Sequence, residues 1–309
     1  MTARSIEFSR RAVLRAGAVA ALAAPLAACS GGNDESPDPL APLLAAAEAD
    51  AAAARALGAD AVTVQVAEAR AAHAAALKSE VDRLNRPPAT PSPAPAPPSG
   101  VDGFRERLVT ARKQAEDLVG TLPRYRAGLA ASIAAGCAAL QRAAPALGPG
   151  EDAPAPAAPA APPTQEVVGP LQRALAAEHA AVWVYGLVSA YLPAEFGVAE
   201  KSGMAEHAKR RDLCQQVIAS TGTAPVAPEP AYVPPKPVTD SGSAAAVIAT
   251  AESDATAAWL DVLTHTDDTA LRRTALAAMV AASRRCTPWR AESGEKPTAV
   301  ALPGQAQSR

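Results

Sequence analysis

Apolar side chains recur along this chain at spacings of three and four residues, and the stretches that keep this rhythm are separated by runs of proline. The Pro-rich runs fall at 87–98, 145–163 and 225–237, leaving four periodic blocks at roughly 40–85, 101–144, 165–220 and 243–287. Proline lacks a backbone donor and clashes with the preceding turn, so none of these runs can continue a helix. Gly58, Pro123, Pro193 and Thr266-Asp267-Asp268 break the blocks internally. Each block therefore reads as a helical hairpin, and the pattern predicts eight helices.

The third block carries the most telling stripe. Positions 171, 175, 178, 182, 185, 189 and 192 read Leu, Leu, Glu, Val, Tyr, Ser and Leu, an apolar face with one carboxylate in its middle. A charge so placed needs a partner, either a metal, as where inward-facing Glu side chains hold iron in helical bundles, or an arginine on a facing helix. The next helix aligns Met204, His207, Arg211, Cys214 and Ile218, and the one after it Ile248, Glu252, Ala255, Trp259 and Val262. Glu178, His207 and Glu252 can thus converge in one interior, with two oxygens and an imidazole nitrogen as a conceivable ligand set.

Composition sharpens the fold class. Apolar residues make up 49% of the chain and aromatic ones only 3%, with Ala supplying most of the difference. Ala is the best helix former and lets helices approach closely, so an all-α protein is expected. A net charge of −2 offers no basic face for nucleic acid. The blocks also repeat: Pro42-Leu43 to Asp50 aligns with Pro170-Leu171 to Glu178, and Ala72-His73 with Glu206-His207. Two divergent four-helix units are therefore expected, a first at 40–146 and a second at 165–290, joined by an Ala/Pro linker at 147–164 and followed by a disordered tail at 291–309. All three Trp residues sit in the second unit.

The N-terminus carries export chemistry. Arg10 and Arg11 precede an apolar run from Ala16 to Ala28 that is too short to span a bilayer, which is the order of a signal peptide over 1–28. The pair resembles a twin-arginine signal, which implies export in the folded state. Leu26-Ala27-Ala28-Cys29 looks like a lipobox, making Cys29 the expected lipidated residue, with 29–39 a flexible tether. This places the protein on the outer face of the cytoplasmic membrane, held there by a lipid. Disulfides can persist outside the cytoplasm, and of Cys137, Cys214 and Cys286 the pair Cys214 and Cys286 shares one half of the chain. Small buried thiols are the equal alternative.

Leu175-Ala176-Ala177-Glu178-His179-Ala180-Ala181, His207-Ala208-Lys209-Arg210-Arg211-Asp212 and Glu252-Ser253-Asp254 together resemble the actinobacterial ferritin-like domain of unknown function that often follows a twin-arginine lipoprotein signal. The resemblance covers 165–290 and implies an up-down four-helix bundle, without implying an activity. Di-iron sites of ferritin-like bundles take a Glu from two helices and Glu-x-x-His from the other two. Here Met204 stands three residues before His207, and the last helix offers Arg272 and Arg273 instead of ligands. The first unit keeps Asp50 and His73 but has Arg70 in the Glu position. Arginines in ligand positions favour structural ion pairs among Glu178, Arg211, Glu252 and Arg273 over a metal on Glu178, His207 and Glu252.

No nucleophile elbow, phosphate loop or zinc spacing is present in the sequence. The expected function is a non-enzymatic, lipid-anchored binding or scaffolding module, with the membrane and an envelope protein or the cell wall as partners and no cofactor. The alternative is an iron- or manganese-binding ferritin relative with oxidase or storage activity.

Overall fold

A computed structural model describes residues 36–88, 96–150, 152–153, 159, 161–234 and 236–306. The signal peptide, Arg10, Arg11, Cys29, most of the tether and the middle of the first Pro-rich loop lie outside the described residues. Among those described, the chain forms eight α-helices and no strand. They are α1 (Ala41–Leu57), α2 (Ala61–Leu84), α3 (Phe104–Val119), α4 (Arg124–Leu140), α5 (Gln165–Val188), α6 (Gly197–Ser220), α7 (Ser241–Thr264) and α8 (Thr269–Glu292).

Local chemistry sets several of the helix starts. Asp60 accepts hydrogen bonds from the Val62 and Thr63 amides, and Asp268 accepts from Leu271. Asp240 forms a reciprocal capping box with Ser243. Each cap satisfies amide donors that the first turn leaves without a partner.

The hairpins α1–α2, α3–α4, α5–α6 and α7–α8 pack internally, as short connections between antiparallel neighbours favour. Helix α4 then joins the two halves by packing against both α8 and α7. It can do so because its sequence from Ala127 to Leu140 is almost wholly small and apolar and is buried on nearly every side. A helix apolar all round belongs in the middle of a core. One hydrophobic cluster accordingly runs from Leu43, Phe104 and Ile133 of the first half to Leu171, Trp259 and Met279 of the second.

The expected disordered tail needs correction. Ala291 and Glu292 complete α8, and the described residues beyond them, as far as 306, fold back over the first half as a strap. Ala299 and Pro303 are buried, the Gln65 and Thr298 side chains lie 3.1 Å apart, and His73 Nε2 meets the Ala301 carbonyl at 2.6 Å. His73 Nδ1 faces Arg70 Nη1 at 3.1 Å. An arginine can only donate and a carbonyl can only accept, so His73 is neutral with its proton on Nε2. Burial and the nearby Arg70 charge lower its pKa to about 3. The polar composition of the tail concealed a strap that is held largely through its backbone.

The strap fits because Gly136 has no side chain. A Cβ there would stand 1.9 Å from the Ala301 oxygen and 2.7 Å from His73 Nε2. Gly136→Ala should therefore destabilise the protein by about 1–3 kcal/mol through overpacking. Gly120→Ala, where a Cβ meets nothing within 4 Å, should leave the urea midpoint near the parent's. Equal midpoints for the two variants would show that the strap does not seat on α4.

Candidate functional site

Each helix of the second half contributes one residue to a buried charged cluster: Glu178 from α5, His207 from α6, Glu252 from α7 and Arg285 from α8. Glu178, His207 and Glu252 have no exposed surface. His207 Nδ1 lies 2.6 Å from Glu178 Oε2, and its Nε2 lies 3.2 Å from Glu252 Oε1. The remaining carboxylate oxygens are also occupied. Trp259 Nε1 donates to Glu178 Oε1 at 2.6 Å, and Tyr185 donates its hydroxyl to Glu252 Oε1 at 2.6 Å. Arg285 grips Glu252 with two donors, Nε at 2.6 Å and Nη2 at 3.0 Å.

Glu178 at Nδ1 and Glu252 at Nε2 favour the cationic form of His207, and Arg285 Nη2, 3.4 Å from Nε2, opposes it; the two carboxylates prevail. Burial alone would lower the His207 pKa, but Glu252 and Glu178 outweigh it and the value is raised. Burial likewise opposes the charge on Glu178 and Glu252. For Glu178 the cationic His207 prevails, and for Glu252 Arg285 and then His207 prevail, so both carboxyls stay ionised well into acid. Tyr185 is raised well above the usual phenol value by burial and the Glu252 charge, so it remains a donor.

The three residues that the stripes bring together do converge, and an arginine is their partner, as the ion-pair reading expects. His207 has Glu178 on Nδ1 and Glu252 and Arg285 on Nε2, and Glu252 already holds a guanidinium with both oxygens, so a cation would have to enter beside the Arg285 charge. Among the described residues no group of three or more His, Cys, Asp or Glu side chains is placed to hold a metal ion. Iron or manganese on Glu178, His207 and Glu252 does not fit this donor set.

The arginine itself differs from expectation. Arg211 turns to Asp212, its Nε 2.8 Å from Oδ1, and Arg273 is exposed. Arg285 lies twelve residues beyond Arg273, about 18 Å along a helix at 1.5 Å per residue. Matching levels across the antiparallel α7–α8 hairpin favours it over Arg273, since Glu252 precedes the end of α7 by as many residues as separate position 281, one turn short of Arg285, from the start of α8. Tyr185 and Trp259 were on the stripes, but their polar atoms gave no sign of their acceptors.

The expected Cys214–Cys286 disulfide is absent: Cys137, Cys214 and Cys286 are free and buried. Cys214 is on α6 and Cys286 on α8, and these helices flank a groove instead of packing together. Cys286 instead faces α7, its Sγ 3.4 Å from the Ala249 carbonyl oxygen and 3.4 Å from Ser253 Oγ. Burial pushes its thiol pKa up to about 11, so it is unreactive near neutrality.

The groove between α6 and α8 has a volume of about 660 Å³. Arg285 forms part of its wall, with 18% of its side chain exposed, and so links the buried cluster to solvent. Arg210 lines the same wall and makes no hydrogen bond or close ion pair among the described residues. Burial and repulsion from Arg285 lower its pKa against the longer-range pull of Glu178, Glu252 and Glu206, none of which it contacts.

Two measurements test the cluster. Glu178→Ala leaves His207 short of a counter-charge and Trp259 Nε1 without an acceptor, so it should cost about 3–5 kcal/mol, and parent-like melting would contradict the pairing. The two histidines should also give stability a maximum near their ordinary pKa of 6.5. His207, raised in the fold, stabilises fully below 6.5 and loses that contribution as pH rises through its folded value. His73, lowered in the fold, costs about 1.4 kcal/mol per pH unit as pH falls below 6.5, until it titrates at about 3. His73→Gln should flatten the acid limb between 6.5 and 5 as read by pH-dependent urea unfolding, and an unchanged limb would reject the neutral assignment.

Comparison with known proteins adds a likeness to a family over the second half of the chain but no activity. No curated protein matches the chain. A solved structure, that of a conserved hypothetical protein from Mycobacterium tuberculosis, is 27% identical to this chain, with a TM-score of 0.41, over 43% of this chain and 93% of that one. Residues 170–307, which carry nearly all of α5, the whole of α6 to α8 and most of the strap, match the family model described as a domain of unknown function, DUF4439.

Proposed function

We propose that this protein is a non-enzymatic binding module of the cell envelope, exported folded through its twin-arginine signal and held on the outer face of the cytoplasmic membrane by a lipid on Cys29. The observation that carries the non-enzymatic part is the saturation of the charged cluster: every carboxylate oxygen and both imidazole nitrogens face protein partners. Such a cluster fixes four helices relative to one another, with each of its charged groups already engaged by a protein partner. An open groove beside a rigid, saturated core suits binding. Support for the anchor comes from the order Arg10-Arg11, apolar run, Cys29 in the sequence. No described helix is long and apolar enough to cross a membrane. A single acyl chain binds membranes only marginally, so two or more chains on Cys29 would be needed for stable attachment.

Cys29→Ala removes the acylation site while leaving the twin arginines intact. The variant should move from the membrane to the soluble fraction or accumulate as uncleaved precursor. Fractionation identical to the parent's would reject the anchored reading.

A further inference from the structure

The groove between α6 and α8 has a charge pattern that the buried cluster leaves unbalanced. Inside the cluster, Glu178 and Glu252 are matched by His207 and Arg285. On the groove walls Lys209 pairs with Glu206 at 2.8 Å and Arg284 with Asp152 at 3.2 Å. Arg210 and Arg142 remain, and neither has an ion-pair partner within 4.0 Å among the described residues. Arg210 Nη1 and Arg284 Nε are buried without a hydrogen-bond partner. Buried donors of this kind are costly to leave unmade, and a cationic one more so. The third guanidinium nitrogen of Arg285, Nη1, carries no hydrogen bond to the described residues either, its Nε and Nη2 being taken by Glu252.

The groove also has a long axis. Helices α6 and α8 run antiparallel, so the groove passes from Phe196, Ala199, Pro288 and Trp289 at one end, through the arginines, to Leu213 and Ala277 at the other. The aromatic end is built: Phe196 and Trp289 rings lie 5.4 Å apart, and Trp289 sits edge-on to Tyr185 at 6.5 Å. An inorganic anion would satisfy the arginines and leave Ala199 and the open side of Phe196 uncovered.

We propose that the groove binds a phosphate monoester carried on an apolar body, its phosphate on Arg210, Arg285 and Arg142 and its body against Phe196, Ala199 and Trp289. Two unmatched cations suit a group whose charge is about −1.5 to −2 at neutral pH better than they suit a carboxylate. Guanidinium donors also match phosphate oxygens geometrically, where a lysine offers only a point charge. The proposal deepens the binding-module reading and does not depend on the anchor: loss of ligand binding would leave the Cys29 result standing, and the reverse holds as well.

Isothermal titration of the full chain at low salt tests it with three probes. Phenyl phosphate should bind saturably, inorganic phosphate at least about tenfold more weakly, and benzyl alcohol not measurably. Arg210→Met should weaken phenyl phosphate by about tenfold or more, and Arg142→Met, at an exposed position, by less. Arg211→Met, which breaks only the pair with Asp212, should bind as the parent does. If Arg210→Met fails to fold, the Arg142→Met and Arg211→Met comparison still decides. No saturable phenyl phosphate binding overturns the proposal, as does equal binding by the parent and both groove variants. Equal affinity for phosphate and phenyl phosphate overturns the apolar part.

Discussion

A protonated imidazole held between two buried carboxylates is the constraint on which the second half of this protein depends. Taking four ionised groups out of water costs several kcal/mol each, and that cost is recovered only where geometry and hydrogen bonding are complete. Here they are complete: His207 spans Glu178 and Glu252, Arg285 holds Glu252 from the far side, and Trp259 and Tyr185 occupy the remaining directions. Because α5, α6, α7 and α8 each supply one charged member, the cluster fixes the register of all four helices at one level. It also shapes the surface. Arg285 reaches from the cluster into the groove, where Arg210 lines the same wall.

The first half shows the same positions under different neighbours. Asp50, which aligns with Glu178, accepts from Arg70 at 3.0 Å and from Arg107 at 2.8 Å. His73, which aligns with His207, meets a guanidinium and no carboxylate, whereas His207 has a carboxylate by each nitrogen, and the pKa of His73 falls where that of His207 rises. Its free proton is directed at the strap, so the position that braces helices in one half fastens the C-terminus in the other. Residue type alone does not set a histidine's role; the charge across from each nitrogen does.

Much of the fold was legible because it rests on local signals. Proline runs and the breaks at Gly58, Pro123, Pro193 and Thr266-Asp267-Asp268 mark helix ends by backbone chemistry alone, and all four hairpins follow. The convergence of Glu178, His207 and Glu252 was legible too, since a charge on an apolar stripe must face inward. Arg285 was not, because flanking alanines give α8 no unique inner face and only levels across the hairpin separate it from Arg273. The strap escaped notice for a related reason: the His73 to Ala301 contact uses a backbone carbonyl, which any sequence supplies. The Cys214–Cys286 pairing failed because it assumed that α6 and α8 touch, whereas they border the groove.

The charge on His207 decides the account. If it is a cation, the cluster is neutral as it stands and Arg210 is left over; if it is neutral, Arg210 is needed to balance the two glutamates and no anion is called for. Nitrogen-15 NMR of the full chain with labelled histidine reads this directly. The account predicts both His207 nitrogens protonated at and below pH 6.5, while His73 holds the neutral form with its proton on Nε2 from pH 6.5 down towards its own value of about 3. A His207 ring with one bare nitrogen below pH 6.5 would contradict it.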